Sequence, residues 1–162
     1  MNPNTLLASH IIKTLATKQL KICTVESFTG GLISYHLSSI ANASQVFLGG
    51  IVSYSNEAKS NLLSIPMQTI INYNPASIEV LESMLEGGIR NFHSDLVIAS
   101  TGIAGPSGAM KNKPLGTIYL GILHKNGKKK LLNLRLKGNR NLIQNQAVMI
   151  IFKNTLDFLK SF

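Results

Sequence analysis

Cysteine, tryptophan and acidic side chains are scarce in this chain: its 162 residues hold one Cys, no Trp, and seven Asp and Glu against sixteen Lys and Arg. The single cysteine, Cys23 in an apolar stretch, excludes a disulfide framework and reads as an inert core thiol. So few acids make a catalytic carboxylate pair improbable. The four histidines, His10, His36, His93 and His124, are scattered without paired Cys or acid ligands, so neither a metal centre nor another cofactor is expected. No apolar run approaches the roughly 18 residues that span a bilayer. The opening Met1-Asn2-Pro3-Asn4-Thr5 has no basic segment leading into an apolar one, so a secretory signal is not expected and a cytoplasmic location is. There is no Walker lysine motif, no GxGxxG, and no Ser-His-Asp set that spacing can assemble.

What is present is a folding chain. Hydrophobic residues make up 44% and charge is not gathered into long blocks, which excludes disorder and predicts one domain over residues 1–162. The net charge of +9 is uneven: no acid falls between residues 96 and 156, where ten of the sixteen bases lie. Such a basic half suits nucleic acid, a membrane surface or an anionic small molecule, and composition does not choose among them.

Asn4 is placed to cap a first helix carrying Leu7, Ile11 and Leu15. Leu20 to Val25 reads as a buried strand, followed by a polar Gly-rich turn and a helix carrying Ile33, Leu37 and Ile40. Val46 to Ser53 is a second strand, with Gly49-Gly50 marking a bulge or a close backbone approach. A short helix is predicted over Asn56 to Leu63, ended by Pro66, and a longer one is capped by Asn74 with Pro75 in its first position. Leu96 to Ala99 is a strand covered on both faces, and Ser100 to Gly116 a long Gly- and Pro-rich loop. Thr117 to His124 and Lys130 to Leu136 form a hairpin across Lys125-Asn126-Gly127-Lys128, and a last helix starts near Asn139. Alternating helices and strands followed by a hairpin give an α/β fold around a mixed sheet. The loops after Val25, Val52 and Ala99 cluster if those three strands are parallel.

Three of these loops carry the chemistry. They are Glu26-Ser27-Phe28-Thr29-Gly30-Gly31; Gly49-Gly50 through Tyr54-Ser55-Asn56-Glu57-Ala58-Lys59; and Thr101-Gly102-Ile103-Ala104-Gly105-Pro106-Ser107-Gly108, continued by Lys113 to Thr117. By residue type alone, Ser27 is a helix cap and Lys59 a solvated helix lysine. Together, and in this order, the loops resemble the CinA C-terminal domain family, which includes nicotinamide-nucleotide amidases. The resemblance runs from Val25 to about Arg140. It implies a three-layer α/β/α sandwich, self-association, and metal-independent hydrolysis of the carboxamide of nicotinamide mononucleotide to nicotinate mononucleotide and ammonia. Carried over, the motif serine is Ser27 and the motif lysine Lys59, with Tyr54 assisting and Arg140 holding phosphate. Ser44 also matches a family serine and is the rival nucleophile.

Chemistry is consistent with these roles. A serine hydroxyl attacks an amide only beside a base, and a lysine is such a base only once burial lowers its pKa from ~10.4 toward ~7–8. The amides of Thr29, Gly30 and Gly31 are candidates for an oxyanion site, Glu26 and Thr101 for orienting groups, and Gly102 and Gly105 with Arg140 for a phosphate seat. The chain departs from the family pattern at Phe28, at Asn74-Pro75-Ala76-Ser77 and at Ala109-Met110-Lys111-Asn112. A second expectation, of another class, is a catalytically silent module engaging nucleic acid or a DNA-processing competence partner. Aromatic residues are sparse in the basic half, only Tyr119 and Phe152 between residues 96 and 156, so base stacking has little to build on.

Overall fold

The computed structural model describes residues 2–162. Its five strands are β1 (Ile22–Glu26), β2 (Phe47–Val52), β3 (Leu96–Gly102), β4 (Thr117–His124) and β5 (Lys129–Arg135). Its helices are α1 (Pro3–Lys18), α2 (Leu32–Ser38), α3 (Asn56–Leu63), α4 (Met67–Tyr73), α5 (Ile78–Phe92) and α6 (Arg140–Leu159). The strands form one sheet in the order β2-β1-β3-β4-β5. Strands β2, β1 and β3 run parallel, β4 runs antiparallel to β3, and β5 runs antiparallel to β4.

The apolar runs explain the layers. Successive side chains of a strand point to opposite faces, so an unbroken run needs cover on both. Ile22, Leu96, Ile98, Ile118, Leu120 and Ile122 face one core, closed by α1, α2 and α6. Cys23, Val25, Val97, Ala99 and Tyr119 face a second, closed by α3, α4 and α5. The result is the expected α/β/α sandwich around a mixed sheet. Cys23 is buried, which pushes its thiol up to about 11 and keeps it inert. Among the described residues, no helix is long and apolar enough to cross a membrane.

Several boundaries differ from the sequence reading, each for a local reason. Helix α1 is capped by Asn2, whose side chain accepts from the Asn4 N–H at 2.8 Å, and Pro3 takes the first helical position. Asn4 instead is buried and donates to the Asn145 carbonyl of α6. Pro66 starts a helix, α4, rather than ending one. Asn74 does not cap α5: its side chain accepts from the Ala76 N–H in a local turn, and Ser77 caps the helix by accepting from Val80 N. The bulge falls at Leu48, skipped between the Ile22–Phe47 and Cys23–Gly49 pairs. The close approach is at Gly50, where a Cβ would lie 2.2 Å from Thr24 Oγ1 and 2.5 Å from Ser34 Oγ.

One glycine fixes the third loop. Gly116 has φ +84°, and a Cβ there would sit 1.9 Å from the Leu136 carbonyl oxygen. Its N–H donates to Ile103 O at 2.7 Å and its carbonyl accepts from Leu136 N at 2.8 Å, so it ties both ends of the loop to the hairpin. Gly116→Ala is expected to lower stability by roughly 2–4 kcal/mol, combining backbone strain with a backbone collision. Urea unfolding followed by circular dichroism measures it.

Candidate active site

The carboxyl ends of β1, β2 and β3 lie side by side, so the loops that follow them meet. After β1 the chain turns toward α2 in one helical layer, and after β2 toward α3 in the other. Diverging connections between neighbouring parallel strands open a crevice at the sheet edge, where α/β folds bind ligands. Here the crevice has a volume of about 310 Å³. Ser27, Tyr54, Lys59 and Arg140 line it, with Gly102 through Gly105 along one side.

Ser27 is the first residue beyond β1 and opens the turn that follows, held by its own N–H, which donates to Ser100 O at 3.0 Å. Lys59 is the fourth residue of α3, whose cap Ser55 accepts from Ala58 N at 3.0 Å. Side chains of a helix lean toward its N-terminus, and that lean returns the Lys59 ammonium to the strand ends. Lys59 Nζ donates to Ser27 Oγ at 3.0 Å and to Ser53 O at 2.8 Å. The lysine is 1% exposed and forms no ion pair among the described residues. Desolvation lowers its pKa from 10.5 to about 8. A solvated helix lysine is excluded by this burial.

Glu26 is also fully buried, but it does not line the crevice. Its carboxylate accepts from the N–H groups of Gly31, Ile33 and Ser34 and from the hydroxyls of Thr29 and Ser34. Five donors replace the water it has lost, and they pin the turn that carries Ser27. Thr29 in turn accepts from Ser100 Oγ at 2.6 Å. This use of Gly31 overturns part of the oxyanion expectation: the Gly31 N–H serves Glu26, and the Gly30 N–H donates to Ser27 O at 3.0 Å. Neither is free for a developing negative charge.

The remaining candidates separate. Arg140 caps the crevice from the first turn of α6, with Nη1 donating to Gly105 O at 2.8 Å and Nη2 to the Tyr54 hydroxyl. Thr101 does not line the crevice: it is buried and donates to Pro75 O at 2.6 Å, anchoring the opposite wall. Ser44 is not brought to the site at all. It precedes β2 in a short turn, Ala43–Gln45, so it lies beyond the amino end of that strand while Ser27 lies beyond the carboxyl end of β1. Parallel pairing puts those ends on opposite edges of the sheet. Sequence reasoning missed the wall formed by Asn74, Pro75, Ala76 and Met110, where Asn74 Nδ2 donates to Met110 Sδ at 3.1 Å. It also missed Lys113 as the clasp of that wall, its Nζ donating to Ala76 O at 2.6 Å. The Asn-Pro turn was the available signal.

A family model described as the CinA C-terminal domain matches residues 4–159. This chain belongs to that family. A CinA-like protein from Kosmotoga olearia is 39% identical over 154 residues, 95% of this chain and 36% of that protein. A CinA-like protein from Fusobacterium nucleatum is 42% identical over 145 residues, 90% of this chain and 35% of its own length. The chain thus spans only about a third of the curated relatives it matches. Among solved structures, the competence/damage inducible protein CihA from Agrobacterium tumefaciens superposes with a TM-score of 0.93 at 30% identity, covering 99% of this chain and 97% of that one. A CinA superfamily protein from Escherichia coli gives 0.89 at 28% identity, covering 94% and 88%. The CinA domain fold is therefore shared along nearly the whole chain.

Proposed function

We propose that this CinA domain is an amidohydrolase that deamidates nicotinamide mononucleotide, with Ser27 as nucleophile and Lys59 as its base. The observation that carries the reading is the 3.0 Å contact between Ser27 Oγ and a buried lysine whose pKa lies near 8. A free amine at that position takes the Ser27 proton as Oγ attacks the carboxamide carbon. The resulting tetrahedral intermediate collapses when the lysine returns the proton to the amide nitrogen and ammonia leaves. Water, deprotonated by the same amine, then cleaves the Ser27 ester, releasing nicotinate mononucleotide and regenerating the hydroxyl. Lys59 shuttles one proton in each half-reaction and no metal is invoked.

Arg140 and the start of α6 support a phosphate seat. A planar guanidinium suits phosphate oxygens, and the amino end of a long helix favours an anion. Arg140→Lys is expected to raise KM for the nucleotide by roughly 10- to 100-fold while leaving kcat within a few-fold, because the lost contact is made equally in ground and transition states. Steady-state kinetics of ammonia release separates the two constants.

The basic half lends little support to the nucleic-acid reading. Lys125, Lys129 and Lys130 pair with Asp95, Glu82 and Asp157. Lys113 is occupied by carbonyls, and Lys128 lies over the Phe158 and Phe162 rings. Incubation of the protein with nicotinamide mononucleotide, assayed for ammonia and for the acid product, tests the proposal. Absence of both products over a range of pH 7 to 10 rejects it.

A further inference from the structure

One wall of the crevice has no part in the chemistry proposed above. It is fixed by three carbonyls: Lys113 Nζ donates to Tyr73 O at 3.4 Å and to Ala76 O at 2.6 Å, and Thr101 Oγ1 donates to Pro75 O at 2.6 Å. Thr101 follows Ser100, whose carbonyl holds the Ser27 N–H, so wall and nucleophile are tied to neighbouring residues of β3. Asn74 stands between these anchors and lines the crevice. Its backbone is strained. With φ 74° and ψ 142° it lies outside the left-handed helical region where Gln19, Asn42, Ser64 and His93 sit, with ψ of 12° to 35°. The Asn74 conformation is close to one that essentially only glycine adopts, and such strain clusters at ligand sites.

The side chain of Asn74 is set for exchange. Oδ1 accepts from the Ala76 N–H at 3.0 Å, which fixes the orientation of the amide and turns Nδ2 to Met110 Sδ, 3.1 Å away. A thioether is a weak acceptor, and Met110 is a flexible residue, 52% exposed. The Asn74 N–H therefore leaves sulfur for an oxygen at little cost. We propose that Asn74 is a specificity-determining residue whose amide binds the vicinal ribose hydroxyls of the nucleotide. Nδ2–H donates to the oxygen of one hydroxyl, and Oδ1 accepts from the other hydroxyl through the lone pair that Ala76 leaves free. The proposal rests on the amidohydrolase reading and adds a sugar contact to it. Ser27 and Lys59 take the carboxamide and Arg140 the phosphate, so the diol is the polar group of the substrate still without a partner. The anchored wall holds Asn74 in place before substrate arrives, which limits the ordering cost of the contact.

The test is a cycle of two enzymes and two substrates: wild type and Asn74→Gly, each with nicotinamide mononucleotide and with its 2′,3′-dideoxy analogue, followed by ammonia release. Glycine takes the backbone of residue 74 without strain, so the variant is expected to fold and to melt no lower than wild type. In the wild type, kcat/KM is expected to fall roughly 10- to 100-fold from the nucleotide to the analogue. Asn74→Gly is expected to lose roughly 10-fold on the nucleotide and nothing on the analogue, because the contact it removes is already missing there. A purely structural role for Asn74 would lower both substrates alike. Equal losses on both, full activity of Asn74→Gly on the nucleotide, or a wild type indifferent to the missing hydroxyls overturns the proposal, and in each case hydrolysis by the wild type leaves the amidohydrolase reading standing. A wild type that releases no ammonia from the nucleotide overturns both.

Discussion

Ser27→Ala is expected to reduce amide hydrolysis by at least about a thousandfold and to leave the fold intact. On the proposed mechanism no neighbour can replace the hydroxyl that forms the covalent ester, and removing a serine nucleophile in comparable machinery costs about 10⁶-fold in kcat. The fold survives because the hydroxyl accepts one hydrogen bond, from Lys59, while the turn itself is held by the Ser27 N–H, by Ser100 O and by the Glu26 carboxylate. KM should change little, since the proposed phosphate seat at Arg140 lies elsewhere in the crevice. Ser44→Ala is the built-in control: on the far edge of the sheet, it should retain full activity. A Ser27→Ala enzyme with undiminished ammonia release, or an inactive Ser44→Ala enzyme of unchanged oligomeric state, would falsify the assignment of the nucleophile.

The layers were legible because burial writes itself into runs. Leu96 to Ala99 and Ile118 to Ile122 are continuous because both their faces are covered, and the alternation of helices between strands placed that cover. Helix α3 matches the expected span of Asn56 to Leu63, with Ser55 just before it as the cap. Helix α4 was not legible, because its seven residues bury only Ile70 and offer no face to a periodicity argument. The site was partly legible. Ser27 and Lys59 could be paired from the order of their motifs, but their 3.0 Å contact depends on how far Lys59 leans back from α3, which no spacing encodes. The oxyanion expectation at Gly30 and Gly31 failed for a related reason: local pattern shows which amides lie near the serine, not which of them the Ser27 carbonyl or the buried Glu26 carboxylate has already taken. Thr101 was misread in the same way, its hydroxyl being spent on Pro75.

Lys59→Met is expected to abolish activity as completely as Ser27→Ala, and to reveal the buried base through pH. In the wild type the attacking species requires a neutral amine, so kcat/KM should rise with pH and level off above about 8, the pKa that burial imposes. Stability should carry the same signature. Lys59 has a folded pKa near 8 against an ordinary value of 10.5. Below about 8 it is charged in folded and unfolded chains alike, and the cost of burying that charge is borne in full. Between about 8 and 10.5 the folded chain has released a proton that the unfolded chain still holds, so stability rises with pH across that window. The full rise is about 3 kcal/mol, at 1.36 kcal/mol per unit. Cys23 opposes it: its thiol, raised by burial from 9.0 to about 11, loses stability over the overlapping range as the unfolded thiol ionises first. The difference in unfolding free energy between wild type and Lys59→Met removes the Cys23 contribution, which both chains share. That difference, measured by urea titration from pH 7 to 11, should shift in favour of the wild type by about 3 kcal/mol. A flat difference would mean that Lys59 titrates as an ordinary lysine, and a proton acceptor for Ser27 near neutral pH would then have to be sought elsewhere.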